Sequence, residues 1–316
     1  MSIIYSNAII SVRSSKMLNV DRIRRMIAAQ TATDAAKILF ECGYDEKILT
    51  TQPDRVDLII AREREKTVRE FAELCTDDNL RNCILARFDY HNAIAIYIDN
   101  NATESVYPIG NIDVGVLRAA VQKKNYSPLP DNLAMALVSL DRMNGATATE
   151  VEVTLNRVMY TEIFSRITKG AIHDYFRAEV DFLNLRTAAK IKIFGGDYKN
   201  LFIDGGLATE EQINNLLSKK AETIKSALIH TNYDRVLDVL LTGIENEDLT
   251  IFENTANAYL ILLSEERADS LFSVNMLFHW FVKKTEELRI VKKILMEKKF
   301  GKSREQLREE LKGVLG

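Results

Sequence analysis

Proline and glycine are scarce, at 4 and 13 in 316 residues. Tight turns and hairpins draw on these two residues, so a fold of many short strands is disfavoured and long helices are expected. Cysteine is nearly absent: Cys42, Cys75 and Cys83 show no CxxC spacing. That pattern gives no disulfide framework and reads as buried apolar thiols in a reducing compartment. Neither sign of charge dominates, the net charge being −3, whereas a chain that binds nucleic acid normally carries a clear basic excess. No apolar run approaches the ~20 residues that cross a bilayer; the longest candidate, Tyr259 to Leu263, is far shorter. The opening MSIIYSNAII lacks a basic segment followed by an apolar core, so no secretory signal is expected.

What is present is hydrophobic content of 47% with 28% charged residues, the balance of a globular chain rather than a disordered one. The length suffices for two or three cores of ordinary size. Apolar residues recur near the helical period from Met17 (Leu18, Ile23, Met26, Ile27, Ala35, Ile38, Leu39). They do so again from Val56 to Leu74, where Arg62, Glu63, Arg64, Glu65 and Lys66 mark the opposite, solvated face. Thr154 to Thr168 and Leu277 to Lys299 follow the same habit. A short helix is predicted over 303–314, with Ser303 and Gln306 as a capping box. Ile94, Ile96 and Ile98 alternate as in a strand, but they continue a helical pattern and are read as helix. The fold class is therefore all-α.

An internal repeat organises the chain. Asp89-Tyr-His-Asn92 returns as Asp181-Phe-Leu-Asn184, and Glu287-Leu288-Arg289 lines up with Asn184-Leu185-Arg186 without the leading Asp. Gly110, Gly206 and Gly301 each precede a new helix, at a period of about 95 residues. AAKILFECGYDE (35–46) is echoed by SALIHTNYDR (226–235), with a weaker middle copy, AMALVSLDR (134–142). Three signatures on one period predict three similar helical modules, 1–109, 110–205 and 206–316. The helix after Gly301 has no remainder behind it. It suits packing beside the N-terminal module, so the array is expected to close into a pseudo-threefold ring or funnel.

Catalytic readings of these residues are weak. A polar pair repeated in each module points to module architecture, whereas an enzyme site normally breaks internal symmetry. Gly110 to Gly115 has the glycine spacing of a phosphate loop, but Val116 and Leu117 stand where Lys and a hydroxyl are required. His91, His173, His230 and His279 are dispersed, without the i,i+4 partners of a zinc site. Asp77-Asp78-Asn79 is too short for the aspartate-rich helix that holds Mg²⁺ against a diphosphate, and it reads as a helix start. Glu286 and Glu287 are adjacent and project apart. No catalytic residue, cofactor or metal is expected.

In order and spacing, the motifs resemble the C-type subunit (d-type in eukaryotes) of the V/A-type rotary ATPases. The similar stretches are the opening with Tyr5, Ala8, Arg13, Leu18, Met26, Ala35, Leu39 and Tyr44, then FDYHNAIAIYI (88–98), VDFLNLRTAAKI (180–191) and KKTEELRIVKKIL (283–295). Ala93-Ile94-Ala95 departs from the basic residue usual in the first copy. The resemblance implies a non-catalytic central-stalk subunit, one copy per complex, peripheral on the cytoplasmic face of the membrane. It would join the shaft subunits of the D/F type to the proteolipid ring. Such an interface mixes apolar anchors with charge. The basic C-terminal stretch with Arg289, Lys292, Lys293, Lys298, Lys299, Lys302 and Arg304 is a candidate contact with an acidic partner. A solvated helix face balanced by Glu297 and Glu305 is the plainer reading of that stretch. A helical-repeat adaptor in an unrelated complex would share the repeat and bind other partners.

Overall fold

A computed structural model of the chain describes residues 2–311 apart from 104, 144, 197, 199 and 219–221. Among the described residues there is no strand. The helices are α1 (Ile3–Ser15), α2 (Val20–Ala28), α3 (Ala32–Lys37), α4 (Glu46–Thr51), α5 (Val56–Leu74), α6 (Asp78–Ile98), α7 (Val114–Lys123) and α8 (Asp131–Arg142). They continue with α9 (Ala148–Arg166), α10 (Ala171–Phe194), α11 (Glu210–Ser218), α12 (Glu222–Ala227), α13 (Asp234–Glu245), α14 (Thr250–Glu265), α15 (Asn275–Lys299) and α16 (Arg304–Glu310). The alternating stretch at Ile94 to Ile98 is the end of α6. Residues 312–314 of the helix expected over 303–314 lie outside the described residues.

Helix starts follow local chemistry. Side chains of Asn19, Thr31, Asp45, Asp77 and Asp113 each accept a backbone N–H of the first turn that would otherwise lack a partner. Thr147 with Glu150, and Ser303 with Gln306, form reciprocal capping boxes.

The chain divides into two compact units, Met1–Thr76 with Thr250–Gly316, and Asp77–Leu249. The first joins both ends of the chain. Its long helix α15 packs against α1, α3, α5 and α14, and α16 lies on α2. Ile23, Met26, Ile27, Leu39, Ile59, Ile60, Val291, Ile294, Leu295 and Leu307 form one buried cluster there. In the second unit α6 packs on α9, α8 on α9, and α10 on α11 and α13. The Arg87 guanidinium grips Glu179 with two bonds of 2.6 and 2.8 Å, and the Tyr160 hydroxyl donates to the same carboxylate at 2.7 Å. Among the described residues no helix is long and apolar enough to cross a membrane.

Candidate functional site

The repeated residues form locks between a long helix and the connection that follows it. Asp89 and Asn92 sit one turn apart on α6, both buried. The amide of Asn92 makes a two-way bond with Tyr107: Nδ2 donates to its carbonyl at 2.7 Å and Oδ1 accepts its N–H at 2.8 Å. Asp89 accepts the N–H groups of Asn111 at 3.0 Å and Ile112 at 2.9 Å. On α10 the pattern returns. Asn184 bonds the Ile203 carbonyl at 2.8 Å and N–H at 2.9 Å, and Asp181 accepts Leu207 N–H and Ala208 N–H, each at 2.9 Å. A buried turn must have its backbone groups paired, and these side chains supply the partners.

The glycines belong to the same device. A Cβ at Gly110 would overlap the Asp89 carboxylate, and one at Gly206 would overlap that of Asp181. Only a residue without a side chain lets the backbone approach so closely. Gly301 differs: its φ is +79° and nothing crowds the place where its Cβ would stand. It ends α15 after Phe300, as Gly195, also at φ +79°, ends α10 after Phe194.

The third copy is rebuilt. The connection after α10 runs over 195–209, whereas that after α15 is only 300–303. The donors that an aspartate would bind are therefore missing, and the Asp position is Lys284, also buried. The N-terminal segment supplies what the short connection lacks. Glu287, at the Asn position, accepts Leu18 N–H at 2.7 Å, as Asn92 and Asn184 accept theirs. It also accepts the Tyr44 hydroxyl at 2.9 Å, and Tyr233, the counterpart of Tyr44 in the third sequence signature, donates to Asp181 at 2.9 Å. Lys284 lies 2.6 Å from Glu287 and 2.8 Å from Glu63, with its ammonium 4.5 Å from the centre of the Tyr44 ring.

Glu63 corrects the sequence reading, which placed it on the solvated face of its helix. It is 4% exposed, because Lys284 of α15 meets it from across the helix pair. Its neighbours Arg62, Glu65 and Lys66 remain at the surface. The period of α5 already separates Glu63 from them: it stands four residues after Ile59, three after Ile60 and four before Thr67, on the buried face of the helix. A second signal was the lysine standing at the repeat's Asp position.

Burial sets the electrostatics. It pushes the Asp89 carboxyl up to about 6 despite its two N–H donors. It raises Asp181 as well, against the pull of Ala208 N–H, Leu207 N–H and the Tyr233 hydroxyl. Burial also raises Glu63, against Lys284. Burial works against the Lys284 charge, yet Glu287 and Glu63 hold its pKa above the usual lysine value. Buried carboxyls of raised pKa are the usual ingredients of a general acid, but here the carboxylates are committed to holding the fold, and Asp181 has no exposed surface.

The remaining candidates are also engaged. Arg186 pairs with Glu152 at 3.1 Å, and Arg289 with Glu286 at 2.7 Å and with Asn254 Oδ1 at 2.8 Å. Asp77 caps α6 and Asp78 pairs with Arg81. His91 meets the Ser105 carbonyl at 2.9 Å and stacks on Tyr107; His279 lies 2.8 Å from the Ser264 hydroxyl. No group of three His, Cys, Asp or Glu able to hold a metal occurs among the described residues.

The basic C-terminal stretch divides in two. Lys292 pairs with Asp57, Lys293 with Glu297 and Glu310, and Lys302 with Glu297 and Glu310. Lys298 donates to the Ile27 and Ala29 carbonyls at 2.8 and 2.7 Å, closing the C-terminal end of α2. Lys299 and Arg304 are exposed, and Arg304 stands near the Glu305 carboxylate.

Comparison with curated proteins finds no match. The ATP synthase (C/AC39) subunit family matches residues 6–310, nearly the whole chain, and the chain belongs to that family of V/A-type ATP synthase subunits.

Proposed function

We propose that the protein is the non-catalytic central-stalk coupler of its ATP synthase. One copy would sit peripherally on the cytoplasmic face of the membrane and join shaft subunits of the D/F type to the proteolipid ring, for ion transport or ATP synthesis. Three helical modules, 1–109, 110–205 and 206–316, would close into a pseudo-threefold funnel that grips the shaft.

The observation that carries this reading is the use made of the repeated buried carboxylates and amides. Each is spent on fastening a connection to a long helix, and none is offered to a substrate. A part that transmits torque needs such rigid fastening and needs no chemistry of its own. The use of Leu18 and Tyr44 to complete the third lock, and the seat of α16 on α2, support closure of the array. Affinity purification of the tagged chain from gently solubilised native membranes, with mass spectrometry, tests the proposal. Stalk subunits and proteolipid should accompany it; their absence, in cells that make such an ATPase, would favour an adaptor in another complex.

A further inference from the structure

We infer that the turn between α15 and α16 is a docking knob for an acidic segment of another subunit of the same ATP synthase, anchored by Phe300 and flanked by Lys299 and Arg304. The inference rests on the coupler reading, which puts partner subunits within reach. It adds the place and the chemistry of one contact.

Phe300 is 79% exposed, the largest value among the exposed large apolar residues described. An exposed aromatic at a frayed end would mean little, but this turn is fixed from every side. Phe300 N–H bonds the Met296 carbonyl at 3.0 Å, Gly301 N–H that of Lys298 at 3.1 Å, and Lys302 N–H that of Glu297 at 2.9 Å. Lys298 ties the end of α15 to α2, and Lys302 is held between Glu297 and Glu310. The capping box starts α16 at once, and Leu307 and Leu311 bury completely behind it. The ring is thus presented outward on a rigid mount, so little conformational freedom remains to be lost on binding.

The surroundings are cationic. Glu297 and Glu310 are neutralised by Lys293 and Lys302. Burial lowers the Lys298 pKa, and the nearby Arg304 charge lowers it further. Glu305 accepts its own N–H and the Ser303 hydroxyl, and the charges of Arg308 and Arg304 act on it as well. An aromatic anchor beside lysine and arginine is the composition of an interface centre that meets acidic groups. One ring on one turn offers too little apolar face to lie in a bilayer surface, which favours a protein partner. The Phe-Gly pair recurs at the end of α10, where Phe194 is 75% exposed.

The test uses the full-length chain and membranes of a strain lacking it. Purified wild type, Phe300→Ala and Lys299→Glu/Arg304→Glu are rebound to those membranes and sedimented; a melting curve for each variant confirms the fold. Rebinding should weaken about tenfold or more in both variants, and wild-type rebinding should fall as salt rises. Variants that rebind like the wild type would overturn the docking knob while leaving the coupler role standing. Equal binding of wild type to protein-free vesicles of anionic phospholipid would transfer the surface to lipid. Failure of the wild type itself to rebind would remove the coupler role and this contact together.

Discussion

A glycine beneath a buried carboxylate is a strict demand on one position. Gly206 lies against Asp181 and Gly110 against Asp89, so Gly206→Ala and Gly110→Ala should each destabilise the chain by ~1–3 kcal/mol in urea unfolding. Gly301→Ala meets no neighbour; its penalty should be limited to the strain of a positive φ. Asp89 predicts a pH effect. Its folded pKa of about 6 lies above the ordinary aspartate value of 3.8, so the fold takes up a proton before the open chain does. The contribution of this group to stability therefore grows as pH falls from about 6 towards 4. The stability of wild type relative to Asp89→Asn, by denaturant unfolding across that range, should move in favour of the wild type. An unchanging difference would place the Asp89 pKa elsewhere. The Asp-x-x-Asn motif and the glycines were legible in the sequence because each recurs. Their pairing was not, because a repeat reports that residues matter and not which turn they hold.

Among elements, α15 differs from α6 and α10 because its connection to the next helix is short. The cluster of Lys284 with Glu63, Glu287 and Tyr44 replaces the aspartate lock. Lys284→Met strands two buried carboxylates and should lower stability by about 3–5 kcal/mol. Adding Glu63→Gln and Glu287→Gln should recover much of that loss, whereas two independent surface pairs would show no such recovery. Leu307 of the last helix is fully buried, so Leu307→Ala should cost about 2–5 kcal/mol in thermal or urea unfolding. The period of apolar residues marked α5 at Val56 to Leu74 and the long reach of α15. The same period places Glu63 on the buried stripe, three residues after Ile60 and four before Thr67; it could not name the partner, a lysine more than two hundred positions away.

For the whole molecule, the all-helical class followed from few prolines and glycines and from helical periods throughout. The grouping into two compact units, one of them built from both chain ends, follows from packing between distant helices, which periodicity does not encode. The coupler reading makes a functional demand on the intact complex. Membranes from cells lacking this chain should retain a nucleotide-hydrolysing head but lose ATP-driven ion transport, and restoring the chain should bring transport back. ATP-driven transport that persists at the normal rate in its absence would contradict the coupling role outright.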